Sequence, residues 1–324
     1  MKWYIKIFLV TAVLLSALFV FFNRSTGSGN LKVDFQIESG QGSINVAKEL
    51  YNQKLIKSTK AFRIYLLLTL KDNAIKKGVY QLDDSMSLLE IIATITSGKT
   101  KFIPITIPEG YNNRQIADLL SEAKFFKDRS EFIAQTKNPL LLKKYSIAAD
   151  SLEGYLFPDT YNIPADFPQE KVLELMVENF LKKTDAIKDF PQDSQKRHQL
   201  VILASIVERE AQLKEERPVI AGVFNNRLQK KYPLESCATI QYLFEKPKPR
   251  LFFKDLEIKS PYNTYIHNGL PPGPISNPGL AAIEATLRPV KTDYLFFVVK
   301  ESGSHQFSKT FNEHVKAKQQ YLGK

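Results

Sequence analysis

Residues 7–22 read IFLVTAVLLSALFVFF, and counting from Trp3 the apolar run reaches about 20 residues with a single charge near its start. Such a stretch cannot be an ordinary amphipathic surface helix, because it has no polar face to give to water. Its length predicts a helix that crosses a bilayer. The competing reading is a cleaved signal peptide, which would have a shorter apolar region and a small-residue cleavage site. The exit sequence 23-NRSTGSGN-30 has no clear A-x-A pattern. An uncleaved signal-anchor over residues 1–22 is therefore expected. Lys2, Lys6 and the amino terminus outnumber Arg24, which keeps the N-terminus cytoplasmic and sends the remainder to the periplasmic or extracytoplasmic side. Residues 23–30 read as a short linker.

At 324 residues the chain is long enough for two or three folded units. A net charge of +11 suits an anionic partner or surface, but zinc-finger spacing, an RNP signature and dense Arg runs are absent, so no nucleic-acid partner is expected. The single cysteine, Cys237, excludes an intrachain disulfide.

Residues 31–100 predict a small α+β module. LKVDFQI at 31–37 alternates as a strand does, and helices are expected over 43–56 and around Lys60–Leu70. A short strand at 78–82 and a helix near Ser87–Ser97, stopped by Gly98, complete it. The strand–helix–helix–strand order resembles a LysM-like carbohydrate-binding module. From 101 to 324 the pattern is mixed α/β. A strand, a P-E-G turn and a helix fill 102–120, and helical periodicity returns over 170–187 and 195–230. The segment 260-SPYNTYIHNGLPPGPISNPG-279 holds five prolines and three glycines, and its apolar and aromatic residues predict an ordered loop that shapes a cleft.

Two glutamates end the apolar helix 201-VILASIVERE-210. With Val201 at zero and about 100° per residue, Ile202, Leu203, Ile206 and Val207 define an apolar arc, Glu210 falls near its middle, and Glu208 lies about opposite. Glu210 is thus expected to face the interior, where desolvation would raise its pKa as a general acid at neutral pH requires. The alternative is a buried structural acid paired with Arg217 or Arg227. Glu208 is expected in solvent or beside a cation.

The segments LASIVEREA, FNNRL, ATIQY, SPYNTY, GLPPGPISNPG and RPVKTDYLFFV follow one another in order, with EGYLFPDTY upstream at 153–161. This series resembles the MltG-type (YceG-like) endolytic murein transglycosylases, densely after Leu152 and loosely before it. The resemblance implies a membrane-anchored enzyme that cuts peptidoglycan glycan strands, with Glu210 as single general acid/base. It implies cleavage of the MurNAc–GlcNAc bond with 1,6-anhydro-MurNAc ends, and membrane-bound peptidoglycan synthases as partners. Family members often read S-D-P-T where this chain has Ser236, Cys237, Ala238 and Thr239, so an essential acid at 237 is excluded here. A non-catalytic peptidoglycan-binding scaffold and a muramidase-type hydrolase stand as alternatives.

Tyr262, Asn263, Tyr265 and Gly269 are candidate cleft residues, since polar aromatics on ordered loops suit sugar faces; a loop that merely caps the core would look the same. Asn226 and Arg227 are candidates for orienting the glutamate or binding an acetamido group. Thr239, Gln241, Glu153 and Asp159 complete the substrate-binding candidates. The four histidines complete no metal set, and neither a metal nor another cofactor is expected.

Overall fold

The computed structural model describes residues 2–323; Met1 and Lys324, the ends of the predicted anchor and catalytic segments, lie outside the described residues. The chain divides into two compact units, Met1–Pro104 with Asn162–Phe167, and Ile105–Tyr161 with Pro168–Lys324.

The first unit begins with helix α1 (Lys2–Asn23). Within it Trp3–Asn23 has mean hydropathy 2.6, making it the one helix among the described residues long and apolar enough to cross a membrane. Strand β1 (Lys32–Ile37), helices α2 (Ser43–Asn52) and α3 (Thr59–Leu68), strand β2 (Gly78–Asp83) and helix α4 (Leu88–Ser97) follow. β1 pairs antiparallel with β2 in the register Lys32↔Asp83 to Ile37↔Gly78. Alternation sends Phe35, Ile37, Tyr80 and Leu82 into a core shared with Val46, Leu50, Phe62, Leu66, Ile91 and Ile95. α4 starts in a capping box between Ser87 and Glu90 and ends at Gly98 in the left-handed region, as its sequence signals require. Residues 26–31 are tied down: the Thr26 hydroxyl donates to the Lys54 carbonyl at 2.6 Å, and the Gly29 amide donates to the Asp84 carboxylate at 2.6 Å.

Strand β3 (Phe102–Thr106) pairs with the later β4 (Thr160–Pro164), and both strands are divided between the units. The second unit contains α5 (Asn113–Glu122), α6 (Arg129–Thr136), α7 (Pro139–Lys144), α8 (Gln169–Asp185), α9 (Ser194–Glu210), α10 (Arg217–Gln229), α11 (Cys237–Gln241), α12 (Phe253–Leu256) and α13 (Leu280–Leu287). A β5–β6 hairpin (Phe296–Val299, His305–Ser308) and α14 (Phe311–Leu322) complete it.

Helix α9 organises this unit, packing against α10, α11 and α13. Every residue from Val201 to Glu208 is buried, so the helix has no solvent face over these two turns, and only Arg209 and Glu210 at its end are less covered. The segment expected to shape a cleft is divided. Its second half is core: the Ile275 amide donates to the Ser205 hydroxyl at 3.0 Å, and the Ser276 hydroxyl donates to the Ser205 carbonyl at 3.1 Å. Asn277 takes the Leu156 amide at 2.8 Å and donates to the Tyr111 carbonyl at 3.0 Å. This strap explains the small residues at Ala204 and Ser205, which leave room for a second chain segment along the helix.

Candidate active site

The α9 helix stops at Glu210, where Ala211 turns extended while its amide still bonds the Val207 carbonyl at 3.0 Å. A carboxylate in a last helical turn sits against the negative end of the macrodipole, a placement that stability alone does not favour. Glu210 is half-buried and lines a cavity of about 550 Å³ with Cys237, Tyr265, Phe296, His314 and Lys318.

One carboxylate oxygen is fixed. The Ser236 hydroxyl donates to Glu210 Oε1 at 2.5 Å, and the Ala238 amide donates to the same atom at 3.1 Å. Ser236 precedes α11 but does not cap it with its side chain; the Glu210 carboxylate occupies that role from another helix. No described residue donates to Oε2. Because both donors converge on Oε1, the proton of the acid form belongs on Oε2.

The cradle behind Ser236 is buried. Its amide donates to Thr264 Oγ1 at 3.1 Å, the Thr239 hydroxyl donates to the Ser236 carbonyl at 2.8 Å, and Thr239 Oγ1 and Thr264 Oγ1 lie 2.9 Å apart. Asn263 is buried below the loop, donating to the carbonyls of Leu256 and Ile258 at 2.9 and 2.8 Å while accepting the Tyr265 amide at 2.9 Å. Tyr265 is thereby presented to the cavity, with its hydroxyl 3.0 Å from Cys237 Sγ. Burial, then the neighbouring thiol, pushes its phenol above the usual tyrosine range, so it is a neutral donor at pH 7.

Several expectations are corrected by these positions. The burial assignment of the two glutamates is reversed: Glu208 is the buried one, bonded by Arg217 at 2.5 Å and by the Gly279 amide at 3.0 Å. Burial raises the Glu208 carboxyl above its ordinary pKa, with Arg217 opposing. The wheel failed because α9 is packed on all sides from Val201 to Glu208, so the apolar arc did not mark the interior. Arg217 therefore pairs with Glu208 rather than Glu210. Arg227 lines the cavity but does not orient Glu210 either; it pairs with Glu235 and donates to the carbonyls of Pro233 and Leu295 at 2.8 and 3.0 Å. Asn226 donates to the carbonyls of Thr292 and Tyr294 at 2.7 and 3.0 Å, holding the approach to β5.

The other candidates lie elsewhere. Thr239 and Asn263 are buried supports without exposed polar atoms for a sugar. Gln241 is engaged at both ends by Lys248, accepting its amide at 2.8 Å and donating to its carbonyl at 2.9 Å. Gly269 is a left-handed turn residue at φ +86, beside the Pro233–Asn268 bridge. Tyr262 packs on the α9 core and tilts against Tyr242 with ring centroids 5.1 Å apart. Glu153 lines a separate cavity of about 890 Å³ with Arg114 and Tyr242. It accepts the Asn113 amide at 3.0 Å and the Tyr242 hydroxyl at 3.2 Å, and burial pushes its carboxyl up to about 8. Asp159 is bonded to Asn179 at 3.0 Å, outside both cavities. Sequence reasoning missed Ser236 and the Ala238 amide, because the contact spans 26 residues and only the fold closes it.

Residues 35–320 match the YceG-like family. A Bacillus subtilis protein named endolytic murein transglycosylase is 39% identical over 312 residues, covering 90% of this chain and 85% of its own. A Streptococcus pneumoniae protein of the same name is 36% identical over 258 residues, 69% of this chain and 46% of that longer one. The crystal structure of a yceG-like protein from Listeria monocytogenes superposes with a TM-score of 0.61 at 33% identity, covering 90% of this chain and 100% of the other. With most of its length matched by the family and by a 39% identical relative of which 85% is covered, the chain belongs to the YceG-like family.

Proposed function

We propose that this chain is a membrane-anchored, endolytic lytic murein transglycosylase in which Glu210 is the single general acid/base. The observation that carries the reading is the asymmetry of the Glu210 carboxylate: Oε1 is held by Ser236 and Ala238 while Oε2 is left to the cavity. The relatives' shared name supplies the substrate class, peptidoglycan.

The chemistry needs one carboxyl. With the MurNAc–GlcNAc bond seated at the cavity, Oε2–H protonates the bridging oxygen as the muramoyl C1–O bond breaks, and GlcNAc leaves with that electron pair and proton. The carboxylate then takes the proton of the muramoyl C6 hydroxyl as O6 bonds to C1, which closes the 1,6-anhydro ring and restores the acid. Water is not consumed, so no second carboxylate is required at the fixed spacing of hydrolytic pairs. Tyr265 and the aromatic wall at Phe296 offer hydrogen bonding and stacking for the sugars.

Residues 1–22 serve as an inner-membrane signal-anchor, 23–30 as the connection, 31–100 as a LysM-like glycan-binding module and 101–324 as the catalytic domain on the extracytoplasmic side. Within the module, residues 38–43 with Asp72, Asn73 and Lys77 line a polar cavity of about 510 Å³ suited to a glycan. Anchoring would hold the enzyme beside newly made strands and the membrane-bound synthases that make them.

The test is product analysis. Detergent-solubilised full-length protein and its Glu210→Gln variant are incubated with nascent glycan strands, and the ends are identified by mass spectrometry. Anhydro-muramoyl ends that vanish in the variant are the expected result. Reducing muramoyl ends would assign a hydrolase, and intact strands with folded wild-type protein would assign a scaffold.

A further inference from the structure

We propose that helix α3 is a second membrane contact: its C-terminal end lies in the headgroup–acyl boundary of the leaflet from which α1 emerges. This rests on the anchoring reading above. The sequence of α3 and its exit, 59-TKAFRIYLLLTL-70, carries two apolar faces rather than one. Ala61, Phe62, Tyr65 and Leu66 are buried in the core of the unit. Ile64, Leu67, Leu68 and Leu70 are 54%, 59%, 70% and 92% exposed, a contiguous apolar surface that a module surrounded by water has no reason to keep.

The position of that surface relative to α1 indicates what covers it. Lys57, just before α3, reaches the Phe21 carbonyl at 3.4 Å and lies over the Phe21 ring at 5.0 Å. Two turns later the Tyr65 ring stacks on Phe19 at 4.6 Å, and its hydroxyl donates to the Phe19 carbonyl at 2.7 Å. Leu68 shares an apolar groove with Leu15 and Leu18. As numbers rise on α3 they fall on α1, so α3 runs back along the anchor. From Phe22 to Leu15 the anchor descends about 10 Å at 1.5 Å per residue. If α1 spans, the α3 end is carried to that depth, which matches the about 5–10 Å reached by interfacial helices.

Charge follows the same axis. Lys57, just before α3, sits at Phe21 near the top of α1, Lys60 and Arg63 follow in the first half of α3, where anionic headgroups would meet them, and the leucines occupy the deeper end. Lys71 and Asp72 follow Leu70 at once, so the insertion is by side chains at the boundary, with the Lys71 stem able to carry its ammonium back to the headgroups. The consequence is an anchor that holds the module at a fixed face against the membrane, instead of leaving it to swing on a tether.

The test places an indole on this surface. In the full-length chain carrying Trp3→Phe, Leu70→Trp and Leu67→Trp are compared with Gln36→Trp, at an exposed position on β1. Each is reconstituted into phosphatidylcholine–phosphatidylglycerol vesicles with or without acyl-chain bromine. Blue-shifted emission quenched about twofold or more at 67 and 70, but not at 36, is the expected result for side chains at acyl depth. Water-like, unquenched emission at 67 and 70 would overturn the proposal. Blue-shifted emission without quenching would also overturn it, since a protein surface and not lipid would then cover the leucines. Failure of the chain to float with the vesicles would overturn the anchoring reading together with this one, whereas flotation without quenching removes this one alone.

Discussion

Ser236 and Glu210, 26 residues apart in sequence, are joined by a 2.5 Å hydrogen bond to a single carboxylate oxygen. The bond leaves the other oxygen to the cavity and sets the direction in which the acid acts.

Removing that bond should lower activity without unfolding the protein. A hydrogen bond to a charged group contributes about 1.5–3 kcal/mol, which corresponds to roughly 10-fold to 100-fold in rate if it acts through positioning. Ser236→Ala is expected to lose that much in kcat with little change in KM, measured as anhydro-end release from glycan strands. An unchanged kcat would separate the bond from catalysis.

The Glu208–Arg217 pair is buried on both sides, with side chains 5% and 6% exposed. Breaking one partner strands a buried charge and should cost roughly 3–5 kcal/mol. Glu208→Leu is expected to lower the unfolding midpoint strongly, while Glu208→Leu combined with Arg217→Met recovers most of the loss. Chemical denaturation of the three proteins would check this, and an equal loss in single and double variants would contradict it.

Glu153 should make stability fall with rising pH. Its folded carboxyl is pushed up to about 8, above the ordinary value of 4.5, so between these limits the folded state keeps a proton that the unfolded state has released. Unfolding then releases a proton, and the slope is negative, about 1.4 kcal/mol per pH unit at most. The contribution is fully present below about pH 4.5 and is lost as pH rises through 8. Glu153→Gln should flatten the wild-type decline in Tm between pH 5 and 8; parallel curves would refute the assignment.

Gly154 sits at φ +87, and an added Cβ would stand 2.6 Å from Pro274 Cγ and 2.7 Å from Val201 Cγ1. Both the left-handed backbone and the contact between the 153–161 segment, the strap and α9 forbid a side chain. Gly154→Ala is expected to destabilise by about 2 kcal/mol or more, read from the denaturation midpoint.

The sequence by itself determined what local chemistry decides. The α1 run has no polar face, α4 carries its own start and stop signals at Ser87, Glu90 and Gly98, and β1 alternates, so these elements were legible without a fold. The ordered motifs after Leu152 carried the family, and their resemblance named Glu210. What the sequence could not determine was how α9 is surrounded. Periodicity locates the interior only for a helix with one wet side, and α9 has none from Val201 to Glu208, which is why the wheel exchanged Glu208 and Glu210. Tertiary structure decided that Glu208 is sealed with Arg217, that Arg227 is taken by Glu235, and that Asn263 and Thr239 brace the wall instead of facing the cavity. Each of these depends on contacts between distant segments, and a hydrogen-bonding side chain reveals its role only when the fold fixes which partner reaches it first.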